Sequence, residues 1–459
     1  MKNRKARIVL AVILAVMMIF TGCASGVGHE KEPVTISIWH VYGAQTDSPL
    51  NDLIQTFNET VGAEQGIRVE VTMVSNNKNI HKDILAASNG DPGAPALPDI
   101  FVAYPSTILA MPDESILVDY YDYFSEEELS EFIPAFLQDG VVNGRLVTLP
   151  VAKSTELMFI NQTAFDRFSA DTGIGLEGLA TWEDLFETSC RYYEWTDSQT
   201  PDIPDDGKTF FVHDFHFNLF QTGVQALGEE YFENETLAFG PAFRQLWDSY
   251  AKASITGGVW LHDGYATEPL RTGESIVSVA SSASVLYFSE EVIYSDNTSE
   301  NIKLTVHPIP VFKEDTNLVM QRGAGMCTIK STPEREKAAV AFLKWLVEPK
   351  CNTEFAISTG YMPVTQEAFD TYLPQEIENL TEGKYIELYK AYQKTQEDFT
   401  FYSAPLFDSY LETETTFEDD VRRRLSNARE EYLRAENRSE ALLDQLVQEN
   451  FELFRDFMQ

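Results

Sequence analysis

Between positions 34 and 103, three short runs rich in β-branched residues alternate with two amphipathic segments, and this alternation narrows the fold more than any other feature. Val34-Thr-Ile-Ser-Ile-Trp39 reads as a strand. A turn-rich stretch from Tyr42 to Pro49 leads into a helix expected over Leu50 to Thr60, with Leu53, Ile54 and Phe57 on one face. A second strand is expected over Ile67 to Val74, a helical stretch around His81 to Ala87, and a third strand over Asp99 to Ala103 after the Gly/Pro-rich loop Asn89 to Pro98. Strands separated by helical crossovers run parallel, so the expected class is α/β. Ligands collect beyond the carboxyl ends of such strands, which makes His40, Tyr42 and Tyr104 site candidates.

A chain of 459 residues has room for two large lobes or for about three domains of about 150 residues each. Its 44% hydrophobic, 12% aromatic and 23% charged residues are those of a folded chain, neither a disordered tail nor a multi-span membrane protein. With 34 Lys and Arg against 72 Asp and Glu, the net charge of -38 excludes a free nucleic-acid binder, which needs a concentrated basic surface.

The first residues set the address. Lys2, Arg4, Lys5 and Arg7 precede an apolar run from Ile8 to Phe20, and Thr21-Gly22-Cys23 follows. The run is shorter than the 18 or so residues that a spanning helix needs, and the layout is that of a signal peptide over 1–22. The small pair before Cys23 resembles a bacterial lipobox, whose cysteine is diacylated and becomes the new N-terminus; Phe20 departs from the usual Leu. An ordinary secretory signal and an uncleaved anchor are the other readings of the run. Residues 23–32 read as a tether, so a lipid on the membrane side would hold the protein outside the cytoplasm. Besides Cys23, the chain has Cys190, Cys327 and Cys351, an odd set without CxxC spacing, so a disulfide scaffold is not expected. A bridge between Cys327 and Cys351 fits an oxidising compartment; buried thiols are the plainer reading.

Further along, Asn143-Gly144-Arg145 through Leu157-Met-Phe-Ile160 reads as extended segments leaving one lobe for another. Gly144-Arg-Leu-Val-Thr-Leu-Pro150, with Ser154-Thr155 and Asn161, resembles the crossover of the extracellular solute-binding family 1 proteins. These are the binding components of ABC importers for maltose, other oligosaccharides and glycerol-3-phosphate. Thr181-Trp-Glu-Asp-Leu185, Gly273-Glu-Ser-Ile-Val277 with Ser281-Ser-Ala-Ser284, Arg322-Gly-Ala-Gly325 and Thr359-Gly-Tyr-Met-Pro-Val-Thr365 follow in the family's order. The resemblance covers about 33 to 410.

It implies a two-lobed periplasmic-binding-protein fold of type II with an interlobe ligand cleft. The first lobe is expected over 33–146 and 303–375, the second over 147–302 and 376–459. Such a protein captures a solute, closes on it and presents it to the transmembrane subunits of a permease, without chemistry. The ligand residues it implies are His40, Tyr42 and Tyr104 in the first lobe, with Gly323 and Tyr361 near the same cleft, and Ser154, Ser281 and Trp260 in the second. Aromatic faces would pack on sugar faces while hydroxyls and backbone amides bond the sugar hydroxyls. No cofactor or metal is expected, and the protein is expected to be a monomer.

Departures from the family narrow the ligand. Asp408 stands where phosphoglycerol-binding relatives carry a basic residue, and Pro105 follows Tyr104 where they tend to have a carboxylate. An acid disfavours a phosphate. Lys153 replaces a small polar residue, to restore a cationic contact or to pair with an acid. An uncharged sugar or oligosaccharide is the expected ligand; glycerol-3-phosphate, a glycerophosphodiester or a polyol is the alternative.

Readings of other kinds find less support. Gly207-Lys208-Thr209 lacks the first glycine of a phosphate loop. The Asp202, Asp205, Asp206 run has Pro204 at a ligand position of a calcium loop. His213 and His216 have zinc-like spacing without a clear third ligand, and the phenylalanines around them suggest packed histidines. A secreted glycoside hydrolase needs only two carboxylates and is the alternative of another class.

Local signals mark structural segments too. Thr332-Pro333 caps a core helix bearing Ala339, Phe342, Leu343, Leu346 and Val347, which Pro349 ends. Ser281, Ser282 and Ser284, after a strand expected over Ile276 to Ala280, serve equally as ligand hydroxyls or as a cap. Glu412 to Gln459 is expected to form an amphipathic helical pair on the second lobe, with a permease-docking surface as its alternative.

Overall fold

The computed structural model describes residues 32–43, 48–76, 79–312 and 317–459. The expected signal peptide over 1–22, Cys23 and all of the expected tether but its last residue lie outside the described residues. Strands that matter for the site are β1 (Val34–His40), β2 (Ile67–Val74), β3 (Ile100–Ala103), β4 (Leu149–Pro150), β5 (Ser154–Asn161) and β6 (Phe211–His213). They continue with β7 (Val277–Ser281), β8 (Leu304–His307), β9 (Leu318–Arg322), β10 (Gly325–Thr328) and β11 (Thr400–Tyr402). Helices α1 (Pro49–Glu59), α2 (Trp182–Asp197), α3 (His216–Ala226), α4 (Pro241–Thr256) and α5 (Pro333–Leu346) are joined by α6 (Pro349–Thr359), α7 (Tyr410–Arg434) and α8 (Glu440–Met458).

Side-chain caps start these helices, at Thr332 as the sequence reading has it. Ser48 accepts from the Asn51 N–H ahead of Pro49, Thr181 from the Asp184 N–H, and Thr332 from the Arg335 N–H ahead of Pro333, each satisfying one orphan donor of a first turn. Pro349 does more than end α5: it occupies the first turn of α6.

The first sheet has the order β2-β1-β3-β10-β4. β1 runs parallel to β2 and β3, as the helical crossovers require, and β10 returns antiparallel against β3 and β4. Leu50, Ile54 and Phe57 of α1 are buried, and the Phe57 ring lies 5.2 Å from the Phe342 and Trp345 rings of α5. Trp39, Ile80, Ile84, Phe101 and Ile108 fill the other face. The second sheet has the order β11-β9-β5-β7-β6, with β8 also on β5. Its core gathers Trp182, Phe211, Phe220 and Trp247, and α7 and α8 add Phe417 and Phe454 to it. The C-terminal helical pair thus packs on the second lobe, and among the described residues no helix is long and apolar enough to cross a membrane.

Strand pairing redraws the expected lobe boundaries. Leu149–Pro150 still pairs in the first sheet, beyond the limit at 146. Leu304–His307 and Leu318–Arg322 pair with β5 in the second sheet, so the first lobe does not resume at 303 but at Gly325. A short apolar strand reads the same in either sheet, and only its long-range partner assigns it. Cys327 and Cys351 are buried free thiols, not a bridge, and burial pushes both up to about 12.

Candidate functional site

Register brings the candidate residues to facing edges of the two sheets. In the first, His40 ends β1, Tyr104 follows β3, and Gly325 begins β10 opposite Ala103. In the second, β5 runs antiparallel to β7 and β9, so its first residue, Ser154, neighbours their last ones: Arg322 lies opposite Ser154, and Ser281 opposite Glu156. β6 is parallel to β7 and brings Asp214, the residue after its end, to the same edge. Two crossovers join the edges. Lys153 exchanges backbone hydrogen bonds with Met362, at 3.1 and 2.6 Å, and its Nζ donates to the Gly323 carbonyl at 3.1 Å and pairs with Asp139. The buried lysine pairs with an acid, as one sequence reading had it.

Gly323 has φ +103°, and a Cβ there would lie 3.1 Å from the Ala152 carbonyl oxygen, Lys153 Cα and Ser154 N. Glycine is therefore required for the crossovers to touch, whatever its amide does for a ligand.

In the first lobe the tyrosines dominate. His40 is fully buried: its Nδ1 accepts from the Tyr42 N–H at 3.2 Å, which leaves Nε2–H to donate to Asn51 Oδ1 at 2.9 Å. Burial lowers its pKa, which favours this neutral form. With both ring nitrogens engaged, His40 is a support for Tyr42 and not the direct ligand contact expected. The Tyr42 ring packs edge-on against Phe355 at 5.0 Å and Tyr361 at 5.6 Å, and its buried Oη has no hydrogen-bond partner among the described residues. Tyr361, just past α6, and Tyr104 are partly exposed. Burial raises the Tyr104 phenol, which also feels the charges of Arg322 and Glu414 across the seam.

The second lobe's edge is charged. Every residue of β5 is buried, and within that strand Glu156 is 1% exposed. Its Oε1 accepts from Asn218 Nδ2 at 2.7 Å, and burial pushes the carboxyl up to about 7. Arg322 Nη1 lies 3.5 Å from Glu156 Oε1 and 3.5 Å from Asp214 Oδ2, yet this buried atom makes no hydrogen bond among the described residues. The guanidinium stacks 4.5 Å over the Phe215 ring. Burial works against its charge, but Asp214 and Glu156 outweigh that. Glu414, in the first turns of α7, completes the group, its carboxyl also pushed up to about 7, first by burial and then by Glu418.

Behind this edge lies a supporting network. Glu418 accepts from His216 Nδ1 at 2.9 Å and from the Phe217 N–H at 2.7 Å, and pairs with Arg422 at 3.0 Å. Burial raises this carboxyl, but His216 and Arg422 bring it below its ordinary value. His213 Nε2 lies 3.9 Å from Glu156. Both histidines are buried, as the phenylalanine-rich sequence suggests. Among the described residues no group of three or more His, Cys, Asp or Glu side chains is placed to hold a metal ion. Asp205, from the acidic run, is paired with Arg438 at 2.8 Å.

The other expected contacts divide. Ser281 takes the N-cap position of a short 3-10 helix but its side chain makes no cap bond, so its partly exposed hydroxyl stays at the edge. Ser282 is buried and accepts from the Thr155 N–H at 3.3 Å and from the Tyr392 hydroxyl, a packing role. Trp260 is partly exposed beside the His262 ring, 4.6 Å away, and its backbone N–H donates to the Phe211 carbonyl. Ser154 is buried at the start of β5. Sequence reasoning missed Glu156, Asp214, Arg322 and Glu414. A charged residue directly before the apolar run Leu157–Ile160 was a signal for Glu156, and the Arg322-Gly-Ala-Gly motif one for Arg322; Glu414 carried none, being one acid among many on an amphipathic helix.

Two sheets joined by paired crossovers, with polar and aromatic groups turned to the seam, define a class of two-lobed binding proteins. The family model described as bacterial extracellular solute-binding protein matches residues 52–382, and the chain belongs to that family. It is 22% identical to an arabinooligosaccharide-binding protein of Halalkalibacterium halodurans over 77% of this chain and 76% of that one. It is also 22% identical to the sn-glycerol-3-phosphate-binding periplasmic protein of Escherichia coli, over 75% of this chain and 77% of that one. In fold it is similar to the cyclic alpha-maltosyl-1,6-maltose binding protein from Arthrobacter globiformis, with TM-score 0.65 and 17% identity over 92% of this chain and all of that one. A Mycobacterium tuberculosis relative solved with glycerophosphocholine gives TM-score 0.65 and 18% identity over 92% and 98% of the two chains.

Proposed function

We propose that this protein is the lipid-anchored, extracytoplasmic receptor of an ABC importer, which captures an uncharged sugar or oligosaccharide between its lobes and delivers it to the permease. The reading rests above all on one observation: the seam offers aromatic rings from one lobe and hydrogen-bonding edges from the other, the two surfaces that a sugar presents in turn. Tyr42, Tyr104 and Tyr361 would pack on the ligand, with Trp260 as a further platform, while Ser154, Ser281 and the backbone at Gly323 bond its hydroxyls. Closure would follow from ligand contacts to both lobes, which only the closed form makes. Cys23 would carry the lipid.

The glycerol-phosphate relatives and the cationic Arg322 favour a second reading, a phosphodiester ligand. Three carboxyl groups around that one cation argue against it. A thermal-shift screen of residues 26–459 against neutral oligosaccharides, polyols, glycerol-3-phosphate and glycerophosphodiesters separates the two, because a ligand of the native state raises the melting temperature. Stabilisation by a sugar that is recovered intact supports the proposal. Stabilisation by phosphorylated compounds alone replaces it with the second reading, and a sugar returned cleaved replaces it with the hydrolase.

A further inference from the structure

The sugar-receptor reading leaves one group at the seam without a task. Arg322 is built as a donor with an unfilled position: Phe215 supports its plane, Glu156 and Asp214 flank Nη1, and that buried N–H has no hydrogen-bond acceptor among the described residues. A buried donor left without an acceptor is costly. The neighbouring groups say what kind of oxygen completes it. Glu156 and Asp214 each lie 3.5 Å from the guanidinium, and the field of Glu414 adds to theirs, so the cation is already matched and a further anion gains little there. The partly exposed Asp214 and Glu414 offer acceptor oxygens to a hydroxyl proton. In the facing lobe, the buried Tyr42 hydroxyl is again without a partner among the described residues. Only a group that accepts and donates at once, without net charge, meets both kinds of demand.

Resting on the sugar-receptor reading, we propose that Arg322 and Asp214 are the specificity-determining pair of the cleft: Arg322 donates to an oxygen of an uncharged polyhydroxyl ligand whose proton Asp214 accepts. Glu156 and Glu414 keep phosphorylated ligands out. Discrimination thus resides in a charge-matched bracket and not in the tyrosine face.

The test is calorimetry on the purified full chain with four probes: maltotriose, arabinotriose, glycerol-3-phosphate and glycerophosphocholine. Wild type binds at least one of the two sugars and neither phosphate compound. Arg322→Gln and Asp214→Asn each weaken that sugar at least tenfold at an unchanged circular-dichroism spectrum, and Arg322→Lys recovers part of the loss. The double variant Glu156→Gln/Asp214→Asn exposes an unmatched guanidinium and gains glycerol-3-phosphate binding. Full sugar affinity in Arg322→Gln and Asp214→Asn overturns this assignment and leaves the sugar-receptor reading standing. Should Arg322→Gln fail to fold, Asp214→Asn and the gain in the double variant decide. Wild-type binding of a phosphate compound, or of no probe, overturns the sugar-receptor reading and the assignment with it.

Discussion

The two edges that meet at the seam are made of different materials. The first lobe presents tyrosine rings steadied by packing and by one neutral histidine, while the second presents carboxylates and a guanidinium steadied by a hydrogen-bonded network behind them. Ring faces attract broadly, over area, and charged hydrogen bonds are directional. The difference teaches that, on the proposed reading, affinity and selectivity would have separate seats, the first in the tyrosine rings and the second in the charged edge.

The largest expected effect lies in the core of the second lobe. Trp247 is fully buried, stacks 5.0 Å from Phe454 and donates from Nε1 to the Val447 carbonyl at 3.1 Å. Trp247→Ala is expected to cost about 3–5 kcal/mol of stability by denaturant titration. A cost under about 1 kcal/mol would show α8 to be an ornament of the lobe and not part of its core. In the first lobe, Asp99 accepts from Arg335 at 2.8 and 2.6 Å and from the Ser37 N–H at 2.7 Å. Asp99→Ala is expected to cost about 2 kcal/mol in the same measurement, less than the tryptophan because Arg335 keeps access to water.

The comparison itself is sharpened by Tyr361→Ala. If the tyrosine face supplies area alone, every sugar that binds should weaken by about tenfold in calorimetry, with their ranking preserved. A changed ranking would place selectivity in the first lobe as well.

The smallest effect is a pH dependence. The Glu414 carboxyl is raised from 4.5 to about 7 in the folded chain, first by burial. The native state therefore holds a proton that the unfolded chain releases near 4.5, and this residue's contribution to stability falls as pH climbs through that window, then levels off above about 7. Glu414→Gln removes the penalty: the variant should be more stable than wild type by about 1–2 kcal/mol at pH 8 and equal to it near pH 4.5. An equal difference at both pH values would show that Glu414 keeps its charge in the fold.

Much of the first lobe was legible because its signals are local. The strand over Ile67–Val74, the helix face of Ile54 and Phe57, and the cap at Thr332 depend on neighbours three or four residues away; Leu50, and not the expected Leu53, completes that buried face. The places of Tyr42 and Tyr104 past their strand ends were legible from topology, and a residue's surroundings less so where its partners come from far along the chain. His40 reads as a ligand residue until Asn51 and the Tyr42 amide are seen to occupy it.

What the sequence determined by itself, then, is the α/β class, the helix start at Thr332-Pro333, the resemblance to a solute-binding family and the tyrosines past the strand ends, all written in periodicity and short motifs. Only the tertiary structure assigned Leu304–His307 and Leu318–Arg322 to the second sheet and brought Glu156, Asp214, Arg322 and Glu414, drawn from four distant segments, into one another's fields. The physical reason is that a strand's partner and a carboxyl's burial are properties of what surrounds them. Among 72 acidic residues, Glu156 and Glu414 are told apart by the water they have lost, which no local pattern records.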